Sequence, residues 1–328
     1  MLKNYKIQEI CTLEKGKQID TTCLNDSNPY QYINGGINAS GFYGKYNTDE
    51  NTVIVSEGGA SCGYVNYVTE KFWCGCHCYK LINPKVTPKY LYYALKGNQN
   101  SIMELRTGAA MPNIKKSSFN DMNIKLDDDK NVQATVISSL DKIQTLIDGK
   151  NTQLKSLDEL VKSRFIEMFG DVKNNDKNFP TKQGSDLFRF SSGKFLEASK
   201  RLENGIPVYG GNGIAWYTSE PLINFATIVI GRVGAYCGNV RKISGSNWVT
   251  DNAIYIKEFK EDCFNLEFLE ELMCEYNFAQ YNDAAAQPKI TQKPMETLRY
   301  IVPPIELQNT FAEFVKQVDK SKFVVSLA

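Results

Sequence analysis

Apolar positions in this chain follow two rhythms. Between Val132 and Phe169 they fall at Val136, Leu140, Ile143, Ile147, Leu154, Leu157, Val161 and Met168, with Lys150 and Arg164 as polar interruptions. Steps of four and three in alternation make a heptad seam. The stretch holds no proline and a single glycine, Gly149, so it predicts one helix about 57 Å long at 1.5 Å per residue. Gly170 is placed to cap it, with Asn174–Pro180 as a polar linker beyond. A small β-domain cannot bury so long a stripe, so the pattern predicts a partner helix. Leu307, Phe311, Phe314, Val318, Ser321 and Val325 repeat the rhythm after Pro303-Pro304, over a much shorter run that ends at Ala328.

Elsewhere the apolar residues come in strand-sized runs between Gly/Asn turns. Val53–Ser56 and Thr227–Ile230 read as buried strands, and Trp73–Ile82 and Trp248–Ile256 as their later partners. Short helices are predicted at Lys89–Lys96 and Leu266–Tyr276. The segments Ala109-Ala-Met-Pro-Asn-Ile114 and Ala285-Ala-Gln-Pro-Lys-Ile290 read as ordered loops, because Pro112 and Pro288 fix their own φ and bias the preceding residue to extended geometry.

These elements occur twice in the same order. Gly59/Gly234, Cys62/Cys237, Trp73/Trp248 and Gln133/Gln308 are each separated by 175 positions, and the Ala-Ala-x-Pro-x-Ile segments by 176. An ordered series at nearly constant offset, tryptophans included, points to a tandem duplication. The chain therefore reads as α+β, with two duplicated β-rich domains (1–130 and 171–304), a long central helix (131–170) and a short second helix (305–328).

Composition narrows the function classes. At 328 residues, 42% hydrophobic and 23% charged, the chain is neither disordered nor fibrous. Its net charge of +1 means that any nucleic-acid surface must be local. One histidine, His77, argues against imidazole-based catalysis. The start, Met1–Lys6, has no apolar core of a signal peptide, and the longest apolar run, Phe225–Ile230, is far short of a membrane span. Nine cysteines, an odd number, imply no disulfide framework and fit a reducing cytoplasm.

Three windows are basic and free of acids: 223–250 with Arg232, Arg241 and Lys242; 105–119 with Arg106, Lys115 and Lys116; 284–295 with Lys289 and Lys293. They coincide with Gly- or Pro-containing loops interleaved with Tyr, Asn and Gln. Lys and Arg neutralise phosphates, and Asn, Gln and Arg read base edges, so the mix suits DNA. Ordinary solvated loops are the competing reading, which recurrence at equivalent places weakens. In Cys74-Gly-Cys-His-Cys78, a strand would hold Cys74 and Cys78 roughly 13 Å apart, too far for one zinc ion. These thiols read as core, and no metal site is expected. No Walker-type loop, nucleophile elbow, kinase set or amino-methyltransferase motif is present. Gly210-Gly-Asn-Gly213 leads into a strand-like run rather than a helix.

The chain resembles the specificity subunits of Type I restriction–modification systems. The resemblance rests on the tandem domains and the two Ala-Ala-x-Pro-x-Ile segments, with Ile301-Val-Pro-Pro-Ile-Glu-Leu-Gln308 leading into Phe311-Ala-Glu-Phe-Val315. It also rests on Lys162-Ser-Arg-Phe-Ile-Glu-Met-Phe-Gly-Asp171 at the end of the central helix. It implies two target recognition domains, each reading one half of a split, asymmetric double-stranded DNA site, joined by antiparallel coiled-coil helices. The partners it implies are methylating modification subunits and a translocating restriction subunit. S-adenosylmethionine, ATP and Mg then belong to those partners, and this chain has no cofactor and no catalytic residue.

Candidate reading residues are Ser61, Tyr64, Asn66, Arg106, Lys115 and Lys116 in the first repeat. In the second they are Arg232, Tyr236, Asn239, Arg241, Lys242, Gln287 and Lys289. Two departures stand out: Leu126-Asp-Asp-Asp-Lys-Asn131 replaces the Pro-Pro lead-in, and the second helix is short. A stand-alone DNA-binding accessory module and a coiled-coil scaffold or carbohydrate-binding duplication without a DNA role remain the alternatives. No membrane role is expected.

Overall fold

The computed structural model describes residues 1–108, 111–283 and 288–327. The chain divides into two compact units, Met1–Asp148 and Gly149–Ala328, so the boundary falls inside the long helix. Among the described residues no helix is long and apolar enough to cross a membrane.

Unit 1 is built on a four-stranded antiparallel sheet in the order Thr12–Lys15, Cys78–Ile82, Thr52–Ser56, Val65–Val68. A three-stranded sheet (Phe42–Tyr43, Tyr30–Ile33, Phe72–Cys74) lies beside it, and Lys3–Lys6 pairs with Asn123–Leu126. The central strand Thr52–Ser56 carries the unbroken apolar run Val53-Ile54-Val55 because both of its faces are buried. Val53 and Val55 point into a core shared with the helix α1 (Pro88–Gly97), and Ile54 into a smaller core with Ile33, Phe72 and Cys78. Alternation sends successive side chains to opposite faces, so a strand covered on both sides loses its polar half.

Unit 2 repeats this plan. Its four-stranded sheet runs Phe188–Ser192, Ala253–Phe259, Thr227–Gly231, Val240–Ile243, and its three-stranded sheet Gly213–Thr218, Ile206–Gly210, Trp248–Val249. Ile228 and Ile230 face one core and Val229 the other.

The runs expected as single strands at Trp73–Ile82 and Trp248–Ile256 are each two strands in two different sheets. The first breaks at Gly75-Cys76-His77 and the second at Thr250-Asp251-Asn252. Backbone bonds impose the break: Gly75 N–H donates to Ile33 O at 2.8 Å and Cys78 N–H to Gly75 O at 3.2 Å. This corrects the spacing expected for Cys74 and Cys78. Cys74 Sγ donates to Gly75 O at 3.8 Å and Cys78 Sγ to Ile33 O at 3.7 Å, and the neighbouring Cys78 thiol together with burial holds the Cys74 thiol well above its usual range. Cys78 Sγ also accepts from Gly35 N–H at 3.0 Å, while Cys76 Sγ lies 3.0 Å from Gln18 Oε1.

The long helix α2 runs Lys130–Phe169 and ends at Gly170, whose φ of 71° suits a glycine cap. In place of the Pro-Pro lead-in, aspartates shape its start: Asp127 Oδ1 accepts from Asp129 N–H and Asp129 Oδ1 from Asn131 N–H. In unit 1, Val136 packs on the core and Leu140 is half-buried, but Ile143 and Ile147 are 52% and 47% exposed.

In unit 2, the helix α4 (Ile305–Leu327) runs antiparallel to the second half of α2. Phe311 packs on Phe165 and Phe169, and Lys322 pairs with Asp158 at 2.8 Å. The stripe buried there is Val161, Phe165 and Phe169, with Leu154, Leu157 and Met168 only half-buried. The expected seam ran through Arg164. Instead, Arg164 lies over the Phe314 ring at 5.8 Å, and the seam shifts one position. The reason is that α2 packs here on a whole domain, through Phe268 of the helix α3 (Leu266–Glu275), as well as on α4. A broad interface favours the 3.6-residue period over the 3.5-residue period of a two-stranded coil.

One residue type fastens each helix to its own domain. Gln133 is 1% and Gln308 0% exposed. Gln133 Oε1 accepts from Thr87 N–H (2.9 Å), and its Nε2 donates to Asp127 O (2.8 Å). Gln308 Oε1 accepts from Asn265 N–H (2.9 Å), and its Nε2 donates to Cys263 O and Pro303 O. Thr87 and Asn265 are the residues just before α1 and α3. Gln133→Leu or Gln308→Leu would leave buried backbone groups unpaired, at about 1–3 kcal/mol each. Denaturant melts should therefore show each variant losing about 2–4 kcal/mol in the unit that carries it, while Gln317→Leu on the exposed face of α4 stays within about 0.5 kcal/mol of the parent. Near-neutral glutamine variants would disprove the latch.

Candidate nucleic-acid interface

The two glycine loops, Glu57–Gly63 and Arg232–Gly238, leave the ends of the two central strands and are held by the same set of bonds. Glu57 N–H donates to His77 O (2.7 Å), and Arg232 N–H to Asn252 O (2.9 Å). Ile114 N–H donates to Glu57 O (2.8 Å), and Ile290 N–H to Arg232 O (3.0 Å). The Cys62 thiol donates to Glu57 O and the Cys237 thiol to Arg232 O. Gly59 N–H reaches Pro112 O, and Gly234 N–H reaches Pro288 O. Gly59 and Gly234 both have φ of 80°, a conformation that a side chain strains. The segments read as ordered loops are thus, in their described parts, clamps on the glycine loops. Each thiol is a hydrogen-bond donor inside its loop, and burial pushes Cys62 and Cys237 above the usual thiol range, which keeps them protonated.

On this common frame the two loops carry different side chains. Ser61 stands where Tyr236 stands, Tyr64 where Asn239, Asn66 where Arg241, and Asn113 where Lys289. Tyr236 is 46% exposed and Asn239 is exposed beside it. Arg232 is half-buried and donates through Nη1 to Asp251 O at 3.0 Å. Arg241 lies against the Gly210–Gly213 hairpin, its Nη1 3.0 Å from where a Cβ on Gly213 would sit. Its Nε is buried and has no hydrogen-bond partner among the described residues. A buried orphan donor is unfavourable unless an acceptor arrives.

The remaining candidates divide. Lys115 and Lys116 are exposed beside the clamp of unit 1, and Lys289 beside that of unit 2. Gln287 lies outside the described residues. Arg106 is turned inward, its Nε donating to Cys62 O at 2.8 Å, so it braces the loop. Lys242 pairs with Glu267 of α3, so its charge is neutralised within the unit. Tyr64 lies under Lys96 Nζ, 3.7 Å from the ring centroid. Asn66 sits further along its strand, its side chain bonded to Tyr67 N–H and Ile37 O.

Ser61 lines a cavity of about 740 Å³ in unit 1, together with Lys15, Asn34, Glu57, His77 and Asn113. Lys15 and Glu57 were not among the sequence candidates. Lys15 ends an edge strand remote in sequence from every basic window, and Glu57, an acid, lies outside those windows as well. Only the equivalence of Glu57 with Arg232 across the repeat could have pointed to it.

The chain is similar to known proteins in sequence and in fold. The family model for the Type I restriction modification DNA specificity domain matches residues 2–157 and again 170–324. A type I specificity subunit of Mycoplasma genitalium is 31% identical over 253 residues, 72% of this chain and 65% of its own length. The specificity subunit of the Escherichia coli restriction enzyme EcoprrI is 24% identical over 196 residues, 57% of this chain and 48% of its own. The chain thus matches less than two thirds of the length of these relatives. In fold it is similar to the crystal structure of the S subunit of a Type-I restriction-modification system from M. genitalium, with TM-score 0.64 and 24% identity over 99% of this chain and 91% of that one.

The loop frame is sensitive at Gly231, where a Cβ would fall 2.2 Å from Tyr236 O, and less so at Gly234, where it would meet nothing within 4 Å. Gly231→Ala should lower stability by about 1–3 kcal/mol and speed amide exchange at Gly231 and Gly238, whose N–H groups bond across the loop. Gly234→Ala should show only the strain of its positive φ, of order 1 kcal/mol. The reverse order would mean that the loop is not clamped as described.

Proposed function

The chain belongs to the Type I restriction modification DNA specificity domain family, which its two copies of the domain span almost end to end, and from that premise we propose that it is the DNA sequence-recognition subunit of a Type I restriction–modification complex. The observation that carries this reading is the pair of loops with one backbone frame and two sets of side chains. A frame repeated with different donors and acceptors reads two different base sequences, so the site is bipartite and asymmetric.

Specificity comes from residues facing base edges, while exposed lysines such as Lys115, Lys116 and Lys289 position the duplex through phosphates. Arg241 contributes its half-buried guanidinium beside the loop, and the donors that Arg232 does not use on Asp251 face a base. The chain itself catalyses nothing: modification subunits bring S-adenosylmethionine and methylate adenine, and a restriction subunit brings ATP and Mg for translocation and cleavage. The complex works in the cytoplasm. The apolar stripe at Ile143, Leu146 and Ile147, each 47–65% exposed, offers the modification subunits a docking face on α2.

Methylome sequencing of cells that express the complex with and without this chain should show methylated adenine at a two-part, non-palindromic site only with it. A continuous palindrome, or methylation independent of the chain, would sink the proposal. In the assembled complex, Arg232→Ala/Arg241→Ala should weaken site binding by about 1–3 kcal/mol per lost base contact and relax the second half-site, leaving the first intact. Unchanged binding across a salt titration would remove this loop from the interface. Ile147→Glu should reduce co-purification of the modification subunits without altering the melt of the free chain.

A further inference from the structure

The position that opens the glycine loop carries opposite charge in the two units, Glu57 in one and Arg232 in the other, on the same fixed backbone. With the N–H and carbonyl held alike, the side chain is what differs.

Glu57 is only 8% exposed, yet it borders the unit 1 cavity. Its two carboxylate oxygens lie 2.6 and 2.7 Å from Lys15 Nζ, and the Tyr79 hydroxyl lies 3.1 Å from one of them. Burial and then the Glu57 charge push Tyr79 up to about 12, so its hydroxyl stays a donor. The Lys15 side chain is about half exposed and lines the same cavity.

Counting the hydrogen-bond positions shows what the pair offers. An ionised carboxylate has about four acceptor positions and an ammonium three donors. Lys15 takes two of the former, and Tyr79, whose one proton is shared with Ile114 O at 3.1 Å, takes at most one more, while Glu57 takes two of the latter. At least one acceptor and one donor are left, on two residues that both line the cavity.

The pair is neutral as a whole, and its carboxylate repels a phosphate, so it is poorly suited to the DNA backbone. A base edge is a different partner, because the major-groove edge of adenine sets an acceptor, N7, next to an amino donor, N6, while guanine sets two acceptors, N7 and O6, together. A guanidinium at the same place presents donors only.

We propose that Lys15 and Glu57 are the specificity-determining pair of unit 1, reading a base edge that sets an acceptor beside an amino hydrogen, as adenine does, at the loop position where unit 2 uses Arg232 to read the paired acceptors of guanine. Glu57 has a second role as the positioning residue that fixes Lys15. This inference rests on the reading of the chain as a DNA-recognition subunit.

The test uses the assembled complex and duplex libraries randomised one position at a time across both halves of the site found by methylome sequencing. The double variant Lys15→Met/Glu57→Gln removes both charges together and keeps side-chain length, so no lone buried charge remains. It should lose about tenfold or more of the discrimination at one position of the first half-site. Every preference in the second half should stay, which also reports that the variant has folded and assembled.

Lys15→Arg keeps the cation and adds donors, and should shift preference at that same position towards guanine. The proposal is overturned if the double variant keeps its preference there, or if it weakens all sequences alike with a shallower salt dependence, as a phosphate contact would. It is also overturned if Lys15→Arg leaves the position unchanged. If the unaltered complex selects no base in either half, the DNA-recognition reading itself fails, a result distinct from these.

Discussion

The long helices of this protein are useful only if each is anchored to its own domain at a fixed angle, and a single buried glutamine performs that anchoring in each unit. Gln133 and Gln308 sit in the first turn of α2 and of α4, where unpaired backbone groups gather. Each accepts from the residue just before the neighbouring short helix and donates to a carbonyl of the chain leading into its own helix, and Gln308 donates to Cys263 O as well. An amide suits this task because it carries acceptor and donor on one planar group and adds no charge to the core. The two lead-ins differ, aspartates in one unit and Pro303-Pro304 in the other, yet the glutamine is the same. The latch is therefore the feature that the repeated architecture requires, and the way the chain reaches it is free to vary.

The candidate interface follows the same division between fixed and variable parts. The central strands are buried on both faces, so they cannot tilt without exposing one core or opening the other. The glycine loops inherit that rigidity through bonds to the clamp segments and to the turns at His77 and Asn252. These contacts are made by main-chain atoms and by the Cys62 and Cys237 thiols, so the backbone frame is the same whichever side chain stands at positions 57 and 232. Such a loop can change what it recognises without changing how it folds, as the exchange of Glu57 for Arg232 illustrates. Reading in the two units can then diverge after a duplication while the scaffold stays alike.

The helices show how local pattern and global packing compete. The heptad steps describe a two-stranded seam, and Phe311, Phe314 and Val318 do lie against the second half of α2. The deepest contacts, however, are Phe165 and Phe169 against Phe268 and Phe311, with ring centroids 4.6–5.8 Å apart. Large aromatic side chains bury the most area per residue, so they decide which stripe turns inward.

By itself the sequence determined the duplication, the long helix, the short helices, the central strands and the family, because each is written in periodicity or in matched spacing along the chain. It also pointed to the glycine loops, through the matched pairs Gly59/Gly234 and Cys62/Cys237 and, in unit 2, a basic window. Tertiary structure alone decided three things. The runs starting at Trp73 and Trp248 split between two sheets, because a strand and a chain crossing from one sheet to the next share the same apolar pattern. Arg106 and Lys242 turned inward to a carbonyl and to Glu267, because charge in a sequence carries no direction. Lys15 met Glu57 across 42 residues, because a contact between an edge strand and the end of a strand two places away in the sheet leaves no trace in local spacing.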